Sequence, residues 1–369
     1  MKRALDGVIA ALGRYPGATI DLLVGEPCFG PPAEILSQFG RTADIAVGGY
    51  GPPAGIDGLR RILAERVGGA GSEAKNTVVT HGAKGGLLAL FAALIEPGDQ
   101  VVHPLPCYPA YPAMVRRFGG EPVGVAETAA GFSGWSAAVV DAIGPKVRAV
   151  VLSSPSNPTG SVVSDEGLAG LVGICRDRGI RLILDEAYTE FRFSDEPDPA
   201  GTLGLDGTVV RVGSASKGLA LPGWRIGWIF TDPGLAARLA EVQGALLNPP
   251  ATPPQRALLA LPDVPQSYFE ENRREVHARM EALAVAMTAA GLDAEMPGGG
   301  FYLWVDVAER LDGATSVEWC TRLASERGVG LWPGEDFGVP GFVRLALPQG
   351  DDWRDSVREI EGRLAAAVG

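Results

Sequence analysis

Lys217 stands in the run GSASKGLALPGWRIGW, Gly213 to Trp228, with Ser214 and Ser216 just before it and Arg225 eight positions after it. The amine of such a lysine can condense with an aldehyde to form a Schiff base. Hydroxyls and a guanidinium suit a phosphate dianion, because charge-assisted bonds to arginine are short and directional. A lone SxSK run is more often a glycine-rich loop with a solvated lysine. Its companions along the chain decide between the two.

In RLILDEAYTEF, Arg181 to Phe191, four residues of strand lead into Asp185, and Tyr188 follows three positions later. An acid at a strand exit faces a ligand crevice. Paired with a pyridine nitrogen, it keeps that nitrogen protonated and makes the ring an electron sink; alone, it caps a turn. VLSSPSNPTG, Val151 to Gly160, is a second apolar strand ending in a turn, where Asn157 can donate to a phenolate oxygen or simply serve the turn. THGAKGGLLAL, Thr80 to Leu90, is strand, glycine turn and helix, a geometry that aims backbone N–H groups at a phosphate. It has neither the GxGxxG fingerprint nor the Walker lysine spacing, which argues against a dinucleotide or ATP site.

The elements that must position these groups alternate. Helical patterns such as IDGLRRILAERV and EGLAGLVGICRDRG lie between short β-rich runs at Thr77 to Thr80, Gln100 to His103, Ala149 to Ser153, Arg181 to Leu184 and Thr208 to Val212. That alternation predicts an α/β fold with a mostly parallel sheet between helices and ligands at its strand ends. The proline-rich run Asn248 to Pro254 precedes a long helical pattern from Tyr268 to Ala290, which links to a smaller α+β domain carrying FYLWVDV, FVRLAL and the amphipathic WRDSVREIEGRLAAAV.

Composition narrows the function class. The chain has 369 residues, 46% of them hydrophobic, with 44 acidic against 32 basic side chains. A net charge of -12 leaves no general attraction for a phosphate backbone, so nucleic acid is not an expected partner. The apolar stretch Leu87 to Ile95 is too short to cross a bilayer and fits a buried helix. Asp6 interrupts a basic, signal-like beginning, and the four cysteines form no CxxC pair, so a cytoplasmic protein is expected. His81, His103 and His277 lack metal-ligand spacing, and no metal site is expected.

Taken in order, LLVGEP (Leu22 to Pro27), YGPPAGIDGLR (Tyr50 to Arg60), GAKGGL, PCYPAY (Pro106 to Tyr111), SNPTG, DEAY, SASKGLALPGWRIG, GGGFYLWV and FVRLAL closely resemble the class I and II aminotransferases of pyridoxal 5'-phosphate (PLP) fold type I, across nearly the whole chain. The resemblance implies a seven-stranded large domain at 46–262, a small domain at 263–369, and an N-terminal segment, 1–45, that contributes to the small one. It implies Lys217 as the Schiff-base lysine, Asp185 as partner of the pyridine nitrogen, and Tyr188 and Asn157 as partners of the ring hydroxyl. Tyr108 would stack on the ring. Ser214, Arg225 and the backbone amides of Ala83 and Lys84 would hold the phosphate, with Tyr50 joining from the neighbouring subunit of a homodimer. Arg344 would clamp the substrate α-carboxylate in a bidentate fork, beside the backbone of Gly25.

The activity so implied is amino transfer between an L-amino acid and a 2-oxo acid, with Lys217 as general base at the substrate Cα. A lyase, cyclase or oxidase on the same scaffold is the alternative. Two departures from the family pattern stand out: Cys28 where an acid is common, and Gln243 in EVQGALLNPP, the segment where dicarboxylate-specific relatives carry a second substrate arginine. The latter makes a simple aspartate specificity doubtful.

Overall fold

The protein is described from a computed structural model covering residues 3–42, 49–69, 71–127, 131–194, 196 and 198–368. Its strands are β1 (Ile20–Asp21), β2 (Thr77–Thr80), β3 (Gln100–Leu105), β4 (Glu121–Ala126), β5 (Val147–Ser153), β6 (Arg181–Asp185), β7 (Val209–Ser214), β8 (Gly227–Phe230), β9 (Tyr302–Asp306), β10 (Val329–Gly330), β11 (Trp332–Pro333) and β12 (Phe342–Ala346). Seven of them form the large sheet in the order β2-β8-β7-β6-β5-β3-β4. β8 alone runs opposite to the other six. The central strands are buried almost throughout, as a sheet covered on both faces by helices requires.

Each strand anticipated from the sequence forms, with ends shifted by one or two residues. Two strands of the large sheet were not anticipated, nor were the two-residue strands β1, β10 and β11. β4 is a half-exposed edge strand whose Pro122 and Gly124 blur a β pattern, and β8 is four residues long. The helices follow ordinary end chemistry. In Asp165–Arg178, the Ser164 hydroxyl accepts from the Gly167 amide at 3.1 Å and Gly179, in the left-handed region, ends the helix. The long linking helix spans Gln266–Ala289.

The smaller body contains the antiparallel sheet β11-β12-β9 and the parallel pair β1-β10. Its core joins Leu5, Val8 and Leu23 from the start of the chain to Met280, Leu303, Trp319 and Ile360 from the end. The N-terminal stretch does not pack as one piece, however. The helix Ala33–Thr42 buries Ile35 among Leu59, Leu63 and Ala215, in the body of the large sheet.

Next to the end of β6, Glu186 and Arg211 form a buried ion pair at 2.6 Å, with Arg211 also donating to the Gly68 and Val67 carbonyls. Breaking one side of such a pair strands the other charge in a low-dielectric interior. Arg211→Leu should therefore cost about 3–5 kcal/mol in urea unfolding, and adding Glu186→Leu should recover part of it. A loss below about 1 kcal/mol would show the pair to be solvated.

Candidate active site

Strand register brings the chemistry together. Ser153 of β5 is aligned with Asp185 of β6, and Asp185 with Val212 of β7, so the carboxyl ends of three parallel strands lie side by side. The loops beyond them carry Asn157, Tyr188 and Lys217, and with Arg344 of β12 they line a cavity of about 260 Å³. Of the residues singled out from the sequence, all but Tyr50 line it. Tyr50 is 85% exposed on its own chain. A second cavity of about 340 Å³, lined by Glu65, Trp228 and Phe269 among others, contains neither Lys217, Asp185 nor Arg344.

Asp185 is 6% exposed and has no ion-pair partner among the described residues. Its carboxylate accepts from the Tyr111 hydroxyl at 2.8 Å and the Ala187 amide at 3.1 Å, so it also serves the turn. Burial pushes its pKa up to about 6, with those two hydrogen bonds pulling the other way. The group is poised to gain from a cation placed beside it. The Lys217 ammonium donates to the Gly25 carbonyl and lies 5.9 Å from the Tyr188 ring centroid.

Arg344 is 1% exposed. It donates to Asn157 Oδ1 at 3.0 Å and to the Leu23 carbonyl, while its Nε has no partner. No acid pairs with it among the described residues, so it is not a structural ion pair. Its charge is instead held between the rings of Tyr302 and Trp332, with centroids 4.0 and 4.2 Å from Cζ. Burial lowers its pKa from the ordinary value, against the nearby tyrosine hydroxyls. A carboxylate would satisfy both its charge and its free donor.

At the other side the chain makes a cradle for an anion. The helix Gly82–Leu94 begins at the cavity, presenting the Ala83 and Lys84 amides. Gly82 has φ +70°, and a Cβ there would lie 2.6 Å from Arg225 Nη2, so only glycine admits the guanidinium so close to the helix start. Arg225 is exposed and donates to the Pro222 carbonyl at 2.7 Å. The Ser214 hydroxyl lies 2.8 Å from that of Ser216, which places Ser216 in the same cluster.

Four contributors escaped the sequence. Tyr111 holds Asp185; Tyr302 meets the Tyr188 hydroxyl at 2.6 Å; Trp332 faces Arg344; Ser153 takes the Asn157 amide at 3.2 Å. Tyr111 had a usable signal, since it stands three positions after Tyr108 at a helix start and the two rings meet edge-on. Tyr108 itself is mostly buried, its hydroxyl pushed up to about 12 by burial and then by Asp185. Gln243, by contrast, is fully buried and donates to the Pro53 and Val79 carbonyls.

Comparison with known proteins identifies the family. The family described as aminotransferase class I and II matches residues 18–354. The chain belongs to that family. It is 32% identical over 374 residues to the aspartate/prephenate aminotransferase of Thermus thermophilus, covering 99% of this chain and 95% of that one. It is 29% identical to the valine–pyruvate aminotransferase of Mycobacterium tuberculosis, covering 92% and 89%. Among solved structures, the T. thermophilus aspartate aminotransferase with maleate superposes at a TM-score of 0.91, 30% identity and coverage of 100% and 97%. That of Rhizobium meliloti superposes at 0.90, 27% identity and coverage of 99% and 94%.

This aminotransferase therefore moves an amino group between an amino acid and a 2-oxo acid, and the transaminases among its relatives do not favour elimination, cyclisation or oxidation as its main reaction. Enzymes of the family work with PLP, and the cavity suits that group. A buried carboxylate without a cation, a glycine-opened cradle beside an arginine, and a lysine amine line one cavity. No helix among the described residues is long and apolar enough to cross a membrane.

The Asp185 environment makes a stability prediction with a definite sign. Its carboxyl titrates near 6 in the fold, above the value of about 3.9 for a free aspartate. The folded state thus binds the proton more tightly, and the stability this confers is full below about pH 4 and lost as the pH rises through 6. Between pH 4 and 7.5 the stability of cofactor-free Asp185→Asn relative to wild type should shift in the variant's favour by on the order of 2 kcal/mol. Thermal melts at the two pH values check it; a gap independent of pH would mean the carboxylate is already compensated.

Proposed function

We propose that this aminotransferase binds PLP covalently through Lys217 and acts as a cytoplasmic homodimer that completes its sites across the interface. The observation that carries the reading is Asp185, buried beside the lysine-bearing turn with hydrogen bonds but no cation. A protonated pyridine nitrogen supplies that missing charge. Ser214, Arg225 and the amides of Ala83 and Lys84 would hold the phosphate, Tyr108 would cover the ring, and Asn157 and Tyr188 would donate to its hydroxyl. Buried, unpaired Cys107, Cys175 and Cys320 accord with a reducing compartment. We assign residues 46–262 to the large domain and 263–369 to the small one, with the helix Ala33–Thr42 moved from the N-terminal segment to the large domain.

When bound, the cofactor supplies an electron sink for the pair left behind as the substrate Cα–H bond breaks. The chain's own residues do the rest. Arg344 binds the α-carboxylate in a fork beside the backbone of Gly25 and turns Cα toward Lys217. The Lys217 amine takes the Cα proton and holds it for return. Asp185, kept ionised by its new partner, sustains the sink. Tyr302, Tyr188 and Trp332 exclude water around the guanidinium and so strengthen its grip.

For the substrate side chain, the exposed ammonium of Lys84 lines the cavity 6.0 Å from the Tyr108 ring and has no ion-pair partner among the described residues. It offers a site for an acidic group that Gln243, tied up elsewhere, does not. Aspartate and glutamate are the donors to try first, with phenylalanine and valine beside them.

Two experiments test the reading. Borohydride reduction of the yellow protein followed by peptide mapping should fix the cofactor to Lys217; an adduct on Lys84, or none, would refute the assignment. Single amino acids added without an acceptor should convert the cofactor to its amino form, which identifies the donor. For the interface, a Tyr50→Phe chain is mixed with a Lys217→Ala chain. If Tyr50 reaches the partner's phosphate, the site holding Lys217 receives an intact tyrosine and PLP affinity recovers in the mixed dimer. No recovery in verified mixed dimers would place Tyr50 outside the shared site.

A further inference from the structure

Trp332 lies directly opposite Arg344 in the antiparallel pair β11-β12, so the two side chains share a face of the sheet. The indole covers the guanidinium, and its Nε1 donates to Asp336 Oδ2 at 2.8 Å. Asp336 has two further donors. The backbone amides of Ala4 and Leu5 reach its Oδ1 and Oδ2, each at 3.0 Å. These are the first two amides of the helix Ala4–Leu12, which have no acceptor within the helix. A carboxylate at that end also meets the positive pole of the helix.

The same N-terminal segment reaches Arg344 a second way. Downstream of the helix and β1, the Leu23 carbonyl accepts from Arg344 Nη2. The turn Gly334–Phe337 that carries Asp336 also touches the large body, where the Phe337 carbonyl accepts from the Cys107 amide at 3.3 Å, next to Tyr108. A guanidinium with no acid of its own and a free Nε is placed by what stacks on it and by what fixes those rings.

We propose that Asp336 is a positioning residue for substrate carboxylate binding: by clamping the start of the helix Ala4–Leu12 and the Trp332 indole with one carboxylate, it couples docking of that helix to the stance of Arg344. The proposal rests on the reading of Arg344 as the carboxylate-binding group. A bound carboxylate that fixes Arg344 fixes Trp332, and through Asp336 the first turn of the helix; a helix that frays loosens the indole and misplaces the guanidinium. Tight fit at a charged fork makes small displacements costly.

The test uses the full-length holoenzyme and two variants, of which Asp336→Asn is near-isosteric. Trp332→Phe keeps a smaller aromatic ring beside Arg344 and removes the N–H that Asp336 accepts; Asp336→Asn keeps the side-chain size and removes the charge and one acceptor. Each should raise KM for both the amino donor and the 2-oxo acid on the order of tenfold, with kcat changing less than KM and cofactor retention unaltered. Hydrogen exchange supplies the second readout. 2-Aminoisobutyrate, which has the carboxylate and amine of a substrate but no α-proton, should slow exchange at residues 4–12 in the wild type and not in Trp332→Phe. Unchanged KM in both variants, or undiminished coupling in the exchange experiment, overturns the proposal. So does a parallel fall of kcat, cofactor content and melting temperature, since that marks a merely structural role. Arg344→Gln, run alongside, separates the two levels: if it too leaves KM unchanged, the carboxylate assignment itself has failed, whereas a large effect there with none in the other two rejects only the positioning role.

Discussion

Asp185 and Arg344 are buried in one cavity, each with hydrogen bonds and neither with an opposite charge among the described residues. Burying an ion without its counterion is among the most expensive things a fold can do. Both groups record that cost, the carboxyl in a pKa raised to about 6 and the guanidinium in one lowered from its usual value. A chain that needed only stability would have paired them or replaced them with apolar residues. Their isolation makes sense when the countercharges arrive with cofactor and substrate, whose binding then also stabilises the folded state.

The two charges come from different bodies, and some of the polar contacts between those bodies are made by the cavity's own side chains. Asp185 ends a strand of the large parallel sheet, and Arg344 lies on the small antiparallel one. Among the bonds that cross between them are Asn157 to Arg344 and Tyr188 to Tyr302, both made by side chains of the cavity wall. Joining the bodies and shaping the site are thus one task. Any shift of the small sheet moves the carboxylate-binding group relative to the lysine, so fidelity of the reaction depends on packing remote from it.

How much of this was legible in the sequence depended on whether a residue acts through its own chemistry or through a neighbour. Lys217, Asp185 and Asn157 sit in runs where residue type, turn signals and strand ends point the same way, Arg344 was implied by the family resemblance, and the cavity assembles all four. β3, β5, β6 and β7 were visible because parallel strands buried on both faces are continuously apolar, and the edge strand β2 was visible because it too is buried throughout. β4 and β8 were not, since one is an edge strand interrupted by proline and glycine and the other is too short to show a period. The division of the N-terminal stretch was equally hidden. Whether Ile35 joins one core or the other is decided by tertiary packing, which leaves no local mark.

Tyr111, Tyr302 and Trp332 show the same limit from the chemical side. Each supports a charged group without reacting itself, and an aromatic on a strand or helix face carries no sign of whether it faces oil or a guanidinium. Only the register of β11 against β12 puts the Trp332 ring on Arg344, and only the turn beyond it puts Asp336 on the indole. Aromatic faces suit this place because they stabilise a cation without neutralising it. An acid in the same position would bind Arg344 permanently and compete with the substrate's own carboxylate; the rings leave the charge in place, desolvated and available.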